Sequence, residues 1–168
     1  TGRAGLIAWE RAHDELAAGA VIPAVRPVGL THHQIAQWLL YVVGASVEEV
    51  PRLVARYEQG LQEALALRHG RVLDNVTTLL DWLADARPDV LSWLVTGNTV
   101  GGGTAKLAHY GLTSYFGGVE GGPLVGSFSE RVEPRANIVQ RAIERARAVL
   151  PGLEPGEALV IGDTPHDI

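Results

Sequence analysis

The chain of 168 residues contains no cysteine and no methionine, not even at position 1. Without cysteine there is no disulfide framework and no thiolate metal site. No apolar run approaches about 18 residues, so no segment is predicted to cross a membrane. A basic n-region followed by an apolar h-region is also missing, so no secretory signal is visible and a cytoplasmic location is expected. Excess positive charge is lacking too: 14 Lys and Arg stand against 19 Asp and Glu, a net charge of -5. That balance gives no electrostatic footprint for nucleic acid. What remains is globular composition, 46% hydrophobic and 20% charged, with length for one ordinary domain or a small domain and an insertion.

The first 70 residues read as helices. Loose helical spacing of Leu6, Trp9 and Leu16 predicts a helix from about Gly2 to Ala18. "THHQIAQWLLYVV" opens with a capping box, Thr31 and Gln34, and "SVEEVPRLVARYEQGLQEALALRH" with another, Ser46 and Glu49. In the latter, Val47, Val50, Val54, Tyr57, Leu61, Ala64 and Leu65 step by three and four along one face. Pro51 lies deep for a first turn, which predicts a bent helix or a late start. "VTTLLDWLADA" is a fourth helix, capped by Asp74 or Asn75.

Beyond it the period changes. "VLSWLVTGN" (90–98) and "EALVIGD" (157–163) are short apolar runs ended by glycine, as strands buried on both faces of a parallel sheet would be. "SYFGG" and "PLVGSF" are weaker strand candidates, and "GGGTAKLAHY" is a helix weakened by three glycines. "PRANIVQRAIERARAVL" is the clearest helix, with Pro134 in its first turn. The expectation is an α/β chain: a helical unit over 1–70 and a doubly wound parallel sheet over 71–168.

Ligands of such sheets bind beyond the carboxyl ends of the strands. One predicted strand ends in Thr96, Gly97 and Asn98, which offer a hydroxyl, a bare backbone and an amide, groups suited to phosphate oxygens beside a helix start. The other ends in Asp163 and Asp167, two carboxylates in a tight loop, suited to a hard divalent cation such as Mg²⁺. Arg135 opens the helix between them and has the guanidinium geometry for phosphate. Capping explains Thr31 and Ser46. Adjacent on a helix, His32 and His33 point apart and are no metal pair. Lys106 reads as a surface or helix-packing lysine, because "GGGTAK" lacks the glycine–lysine adjacency of a P-loop.

Together these turns resemble the haloacid dehalogenase superfamily, closest to its phosphoglycolate-phosphatase-like branch. "WLVTGN" resembles the second motif and "AKLAHYGLTSYF" the stretch that follows it. "VEPRANIVQRAIERA" resembles the third-motif helix, with Arg135 where most relatives carry lysine. "VIGDTPHDI" resembles the acidic fourth motif. The helical first half resembles the family's cap in architecture, and "VGLTHHQI" is similar to a cap segment that usually reads G-x-T-D, from which His32 departs.

The resemblance implies a haloacid-dehalogenase-like, Rossmann-like parallel sheet core under an α-helical cap. It implies a Mg²⁺-dependent phosphatase of a small phosphorylated metabolite, working through an aspartyl-phosphate. Thr96 and the Gly97 N–H would bind phosphoryl oxygens beside Asn98, Arg135 would balance their charge, and Asp163 and Asp167 would serve the metal. A phosphomutase, a dehalogenase or a non-catalytic module that binds Mg²⁺ or phosphate is the alternative. The first motif, D-x-D-G-T, which carries nucleophile and acid, does not occur in these residues. The chain is therefore expected to be an internal fragment that is inactive alone, without the central nucleophile strand. The strands ending at Thr96 and Asp163 would then stand about 10 Å apart or collapse together.

Overall fold

The computed structural model describes residues 1–16, 29–87, 89–117 and 123–162. Its first half is helical, as expected. α1 spans Ala4–Asp14, α2 His32–Val42 and α3 Val50–Ala66. α1 begins after two positive-φ residues, Gly2 and Arg3, and it buries Ala4, Ala8, Trp9, Ala12 and His13. α2 has the full predicted capping box: the Thr31 hydroxyl accepts from the Gln34 N–H, and the Gln34 side chain accepts from the Thr31 N–H. Ser46 instead accepts from the Glu48 N–H and opens a short 3-10 turn, Val47–Glu49. α3 follows with Pro51 in its first turn, the late start that the proline predicted.

α3 is the organising element. Its buried face holds Val50, Leu53, Val54, Tyr57, Leu61, Ala64 and Leu65, the expected stripe with Leu53 added and Val47 left exposed. The same core cluster takes in the buried faces of α1 and α2. The Trp9 ring stacks on Tyr57 with centroids 4.1 Å apart, and His32 meets both rings edge-on. Complete burial of such large apolar surfaces contributes about 1.5–3 kcal/mol per side chain, before chain entropy is set against it.

The second half departs from expectation. The anticipated doubly wound, haloacid-dehalogenase-like sheet core is not what the residues form. Among the described residues the sheet has two strands of two residues each: β1 (Leu94–Val95) pairs in parallel with β2 (Gly126–Ser127), Leu94 opposite Gly126. Residues of the "SYFGG" candidate form a 3-10 turn, Thr113–Phe116. Residues 158–162 of the "EALVIGD" candidate form no strand, and Leu159 and Ile161 are exposed. The physical reason is missing cover. A strand rich in apolar residues on both sides needs a neighbour at each edge and a layer on each face. α4 (Val76–Ala86) buries none of its residues, and it leaves Leu79 and Trp82 exposed. Among the described residues β1 pairs with β2 and residues 158–162 form no strand, so the anticipated pair of strands flanking a gap is not formed there.

α5 (Val100–His109) and α6 (Arg135–Val149) complete the order. Pro134 is the N-cap of α6, whose buried residues are Ile138, Ala142 and Ala146. The outer end of its predicted stripe, Val149 and Leu150, stays exposed. Among the described residues no helix is long and apolar enough to cross a membrane.

Candidate functional site

The turn after β1 sits where the two halves of the chain meet. Thr96 donates its N–H to the Ser127 carbonyl, and the Asn98 carbonyl accepts the Ser129 N–H. From the other side, the His32 N–H donates to the Gly97 carbonyl at 2.7 Å. A Cβ at position 97 would stand 3.3 Å from Thr31 Cα, so glycine is what permits this approach. The turn is thereby clamped between the start of α2 and the strand pair.

Within it, the Thr96 hydroxyl accepts from the Asn98 backbone N–H at 3.2 Å and from Asn98 Nδ2 at 2.5 Å. The Lys106 amine donates to Asn98 Oδ1 at 2.5 Å. Thr99 caps α5, its hydroxyl accepting from the Gly102 N–H. Thr96 and Gly97 line a small cleft together with Val95, Arg135, Ile138, Val139, Val160 and Ile161. The structure thus brings together three of the residues singled out in the sequence, Thr96, Gly97 and Arg135. Asn98 stands directly behind Thr96. Asp163 and Asp167 lie outside the described residues.

Thr99, Glu58, His32, Tyr57 and Lys106 make up the polar surroundings. The Thr99 hydroxyl donates to Glu58 Oε1, which also accepts the Gly102 N–H at 3.3 Å. His32 Nδ1 accepts the Thr99 N–H, and its Nε2 lies 3.3 Å from the Tyr57 hydroxyl. Burial first, then the charge of Lys106, then His33, hold the His32 imidazole well below its ordinary range, so it is neutral. Burial pushes the Tyr57 phenol up, and the Glu58 charge adds to that. Burial pushes the Lys106 amine down to about 8. Of the two readings its sequence allowed, surface or helix-packing, Lys106 is the helix-packing lysine, with its amine against Gly5 of α1. The available signal was helical phase: it lies two turns beyond the cap Thr99, on the same face. Glu58 left no such signal, since nothing local in α3 shows which neighbour it meets.

As a chemical environment, the cleft offers a hydroxyl, a glycine backbone and a guanidinium, which fits an oxyanion. Its described lining holds no carboxylate. Among the described residues there is also no group of three or more His, Cys, Asp or Glu placed to hold a metal. A scan against protein-family models finds no match, and a comparison with curated proteins finds none either.

Proposed function

We propose that this protein acts on small phosphorylated metabolites as a Mg²⁺-dependent phosphomonoester hydrolase. Thr96, Gly97 and Arg135 hold the phosphoryl group, and Asn98 supports Thr96. The observation that carries this reading is the meeting of Thr96 and Gly97, after β1, with Arg135, at the start of α6, around one cleft. A hydroxyl donor and a guanidinium on one small opening match the acceptor-only, anionic character of a phosphoryl oxygen. The resemblance to the haloacid dehalogenase superfamily supplies the reaction type and not the sheet. Asp163 and Asp167 are the residues that would hold Mg²⁺, which would supply charge neutralisation on the transferring group.

Inorganic phosphate titrated calorimetrically into the 168-residue chain tests the reading. Binding that weakens about tenfold or more in Thr96→Val and in Arg135→Ala supports it. Absence of binding overturns it. With Mg²⁺ and p-nitrophenyl phosphate, residues 1–168 are expected to show no turnover until a D-x-D-G-T segment is joined upstream. Turnover by residues 1–168 that survives both substitutions overturns the assigned roles.

A further inference from the structure

We infer that Lys106 is a positioning residue for Thr96, acting through the Asn98 side chain to commit the Thr96 hydroxyl as a donor towards the cleft. The inference rests on the phosphate reading of that cleft for its ligand, but not for its geometry.

The argument is one of donors and acceptors. A lysine ammonium has only donors, so Asn98 must turn its Oδ1 to Lys106, which leaves Nδ2 facing Thr96. The Thr96 oxygen then accepts two N–H groups, the Asn98 side chain at 2.5 Å and the Asn98 backbone at 3.2 Å. A hydroxyl accepts two bonds and donates one. With both acceptor positions filled from behind, the remaining proton points outward, to a group that only accepts. A phosphoryl oxygen is such a group, whereas a ligand hydroxyl or amine acting as donor finds no lone pair here. Without Lys106 the amide is free to rotate and to present Oδ1 to Thr96. The hydroxyl proton is then consumed inside the turn, and the cleft loses its donor.

The amine is held for this task by three other elements. A Cβ on Gly5 of α1 would lie 3.6 Å from Lys106 Nζ and 3.5 Å from the Tyr57 hydroxyl, so α1 packs directly against the amine. Tyr57, on α3, stays a neutral phenol, and His32, on α2, a neutral imidazole. The Glu58 carboxylate of α3 is engaged by Thr99 and Gly102. Burial among these groups brings the amine down to about 8.

Two measurements on the whole chain test this. In the ¹⁵N-labelled protein, the Asn98 side-chain amide signals are followed between about pH 6 and 10. They should move with one ionisation near 8, and stop doing so in Lys106→Met. Calorimetry with inorganic phosphate near neutral pH should show Lys106→Met weakened about tenfold, and no further loss when Thr96→Val is added. The chain has no cysteine, so Lys106→Cys can be modified at a single site. Alkylation with 2-bromoethylamine, which rebuilds an amine at nearly lysine's length, should restore binding. A propyl group at the same sulfur should not. Equal rescue by the propyl group means packing alone and overturns the proposal. So do Asn98 signals that ignore the amine, or phosphate affinity unchanged in Lys106→Met. If the unmodified chain binds no phosphate, the phosphate reading falls, and the Asn98 titration by itself decides whether Lys106 positions Thr96.

Discussion

The Glu58 carboxylate on α3 accepts the hydroxyl proton of Thr99, the N-cap of α5. It also accepts the Gly102 N–H, so the positive end of α5 already carries an anion from within the fold. On the phosphate reading proposed above, the anion would use the Thr96 and Arg135 side, not the start of α5. Glu58→Gln keeps an oxygen for Thr99 but removes the charge, whereas Glu58→Ala removes both. Losses of about 1 and about 2 kcal/mol respectively are expected in urea unfolding. The reverse order would refute the cap.

His32 gives a pH signature. Its folded pKa is depressed, chiefly by burial, so the unfolded chain binds the proton more readily. Stability is then complete above the unfolded value of about 6.5 and falls as pH drops below it. Between about pH 6.5 and 5, the unfolding free energy of the native chain should decline more steeply than that of His32→Asn. Nitrogen-detected NMR should find the proton on Nε2, because Nδ1 accepts the Thr99 N–H. A ring that titrates near 6.5 would count against this assignment.

The Glu133–Arg141 pair beside the site works in the same direction as His32, but at lower pH. Arg141 donates to both carboxylate oxygens, at 2.7 and 2.9 Å, and to the Phe128 carbonyl at 2.7 Å. Glu133 is 3% exposed, and its backbone carbonyl accepts the Thr31 hydroxyl. The hydrogen bond from Arg141 is the first cause that holds the Glu133 carboxyl below its ordinary range. This contribution is present above the unfolded carboxylate value of about 4.3 and is lost as pH falls through the lower folded value. Arg141→Met, which leaves the buried carboxylate only the exposed Arg131 at 3.4 Å, should cost about 3 kcal/mol near neutral pH, and adding Glu133→Met should recover most of it. Additive losses would show that the two residues do not act as a pair.

The helical half was legible because its signals are local. The Thr31–Gln34 box and the α3 stripe are read within a few residues, and both stand in the structure. The Thr96–Gly97–Arg135 grouping was legible from the order of turn and helix along the chain. The sheet was not, because an apolar run such as 158–161 becomes a strand only if a neighbour and a cover exist, and those lie elsewhere in the chain. Leu159, which looked like a core strand residue, is 85% exposed. Whether Lys106 was a surface or a helix-packing lysine was left open for a related reason: its neighbours Gly5 and His32 lie on other helices.

The three glycines of α5, which looked like a weakness in the sequence, are each pressed against something different. A Cβ on Gly101 would stand 2.6 Å from the Glu58 carboxylate, one on Gly102 would stand 3.1 Å from His32, and one on Gly103 would stand 3.1 Å from Phe128. Alanine in a helix is ordinarily worth about 1 kcal/mol over glycine. At position 101 that gain is offset by displacement of Glu58 from its bonds to Thr99 and Gly102, so Gly101→Ala should be net destabilising by about 1 kcal/mol. In a Glu58→Ala background the obstacle is gone and the cap is already lost, so the same substitution should stabilise by close to the full propensity difference of about 1 kcal/mol. A double-mutant cycle in urea therefore predicts a change of sign at position 101. An effect of Gly101→Ala that is the same in both backgrounds would show that Glu58 does not occupy the start of α5.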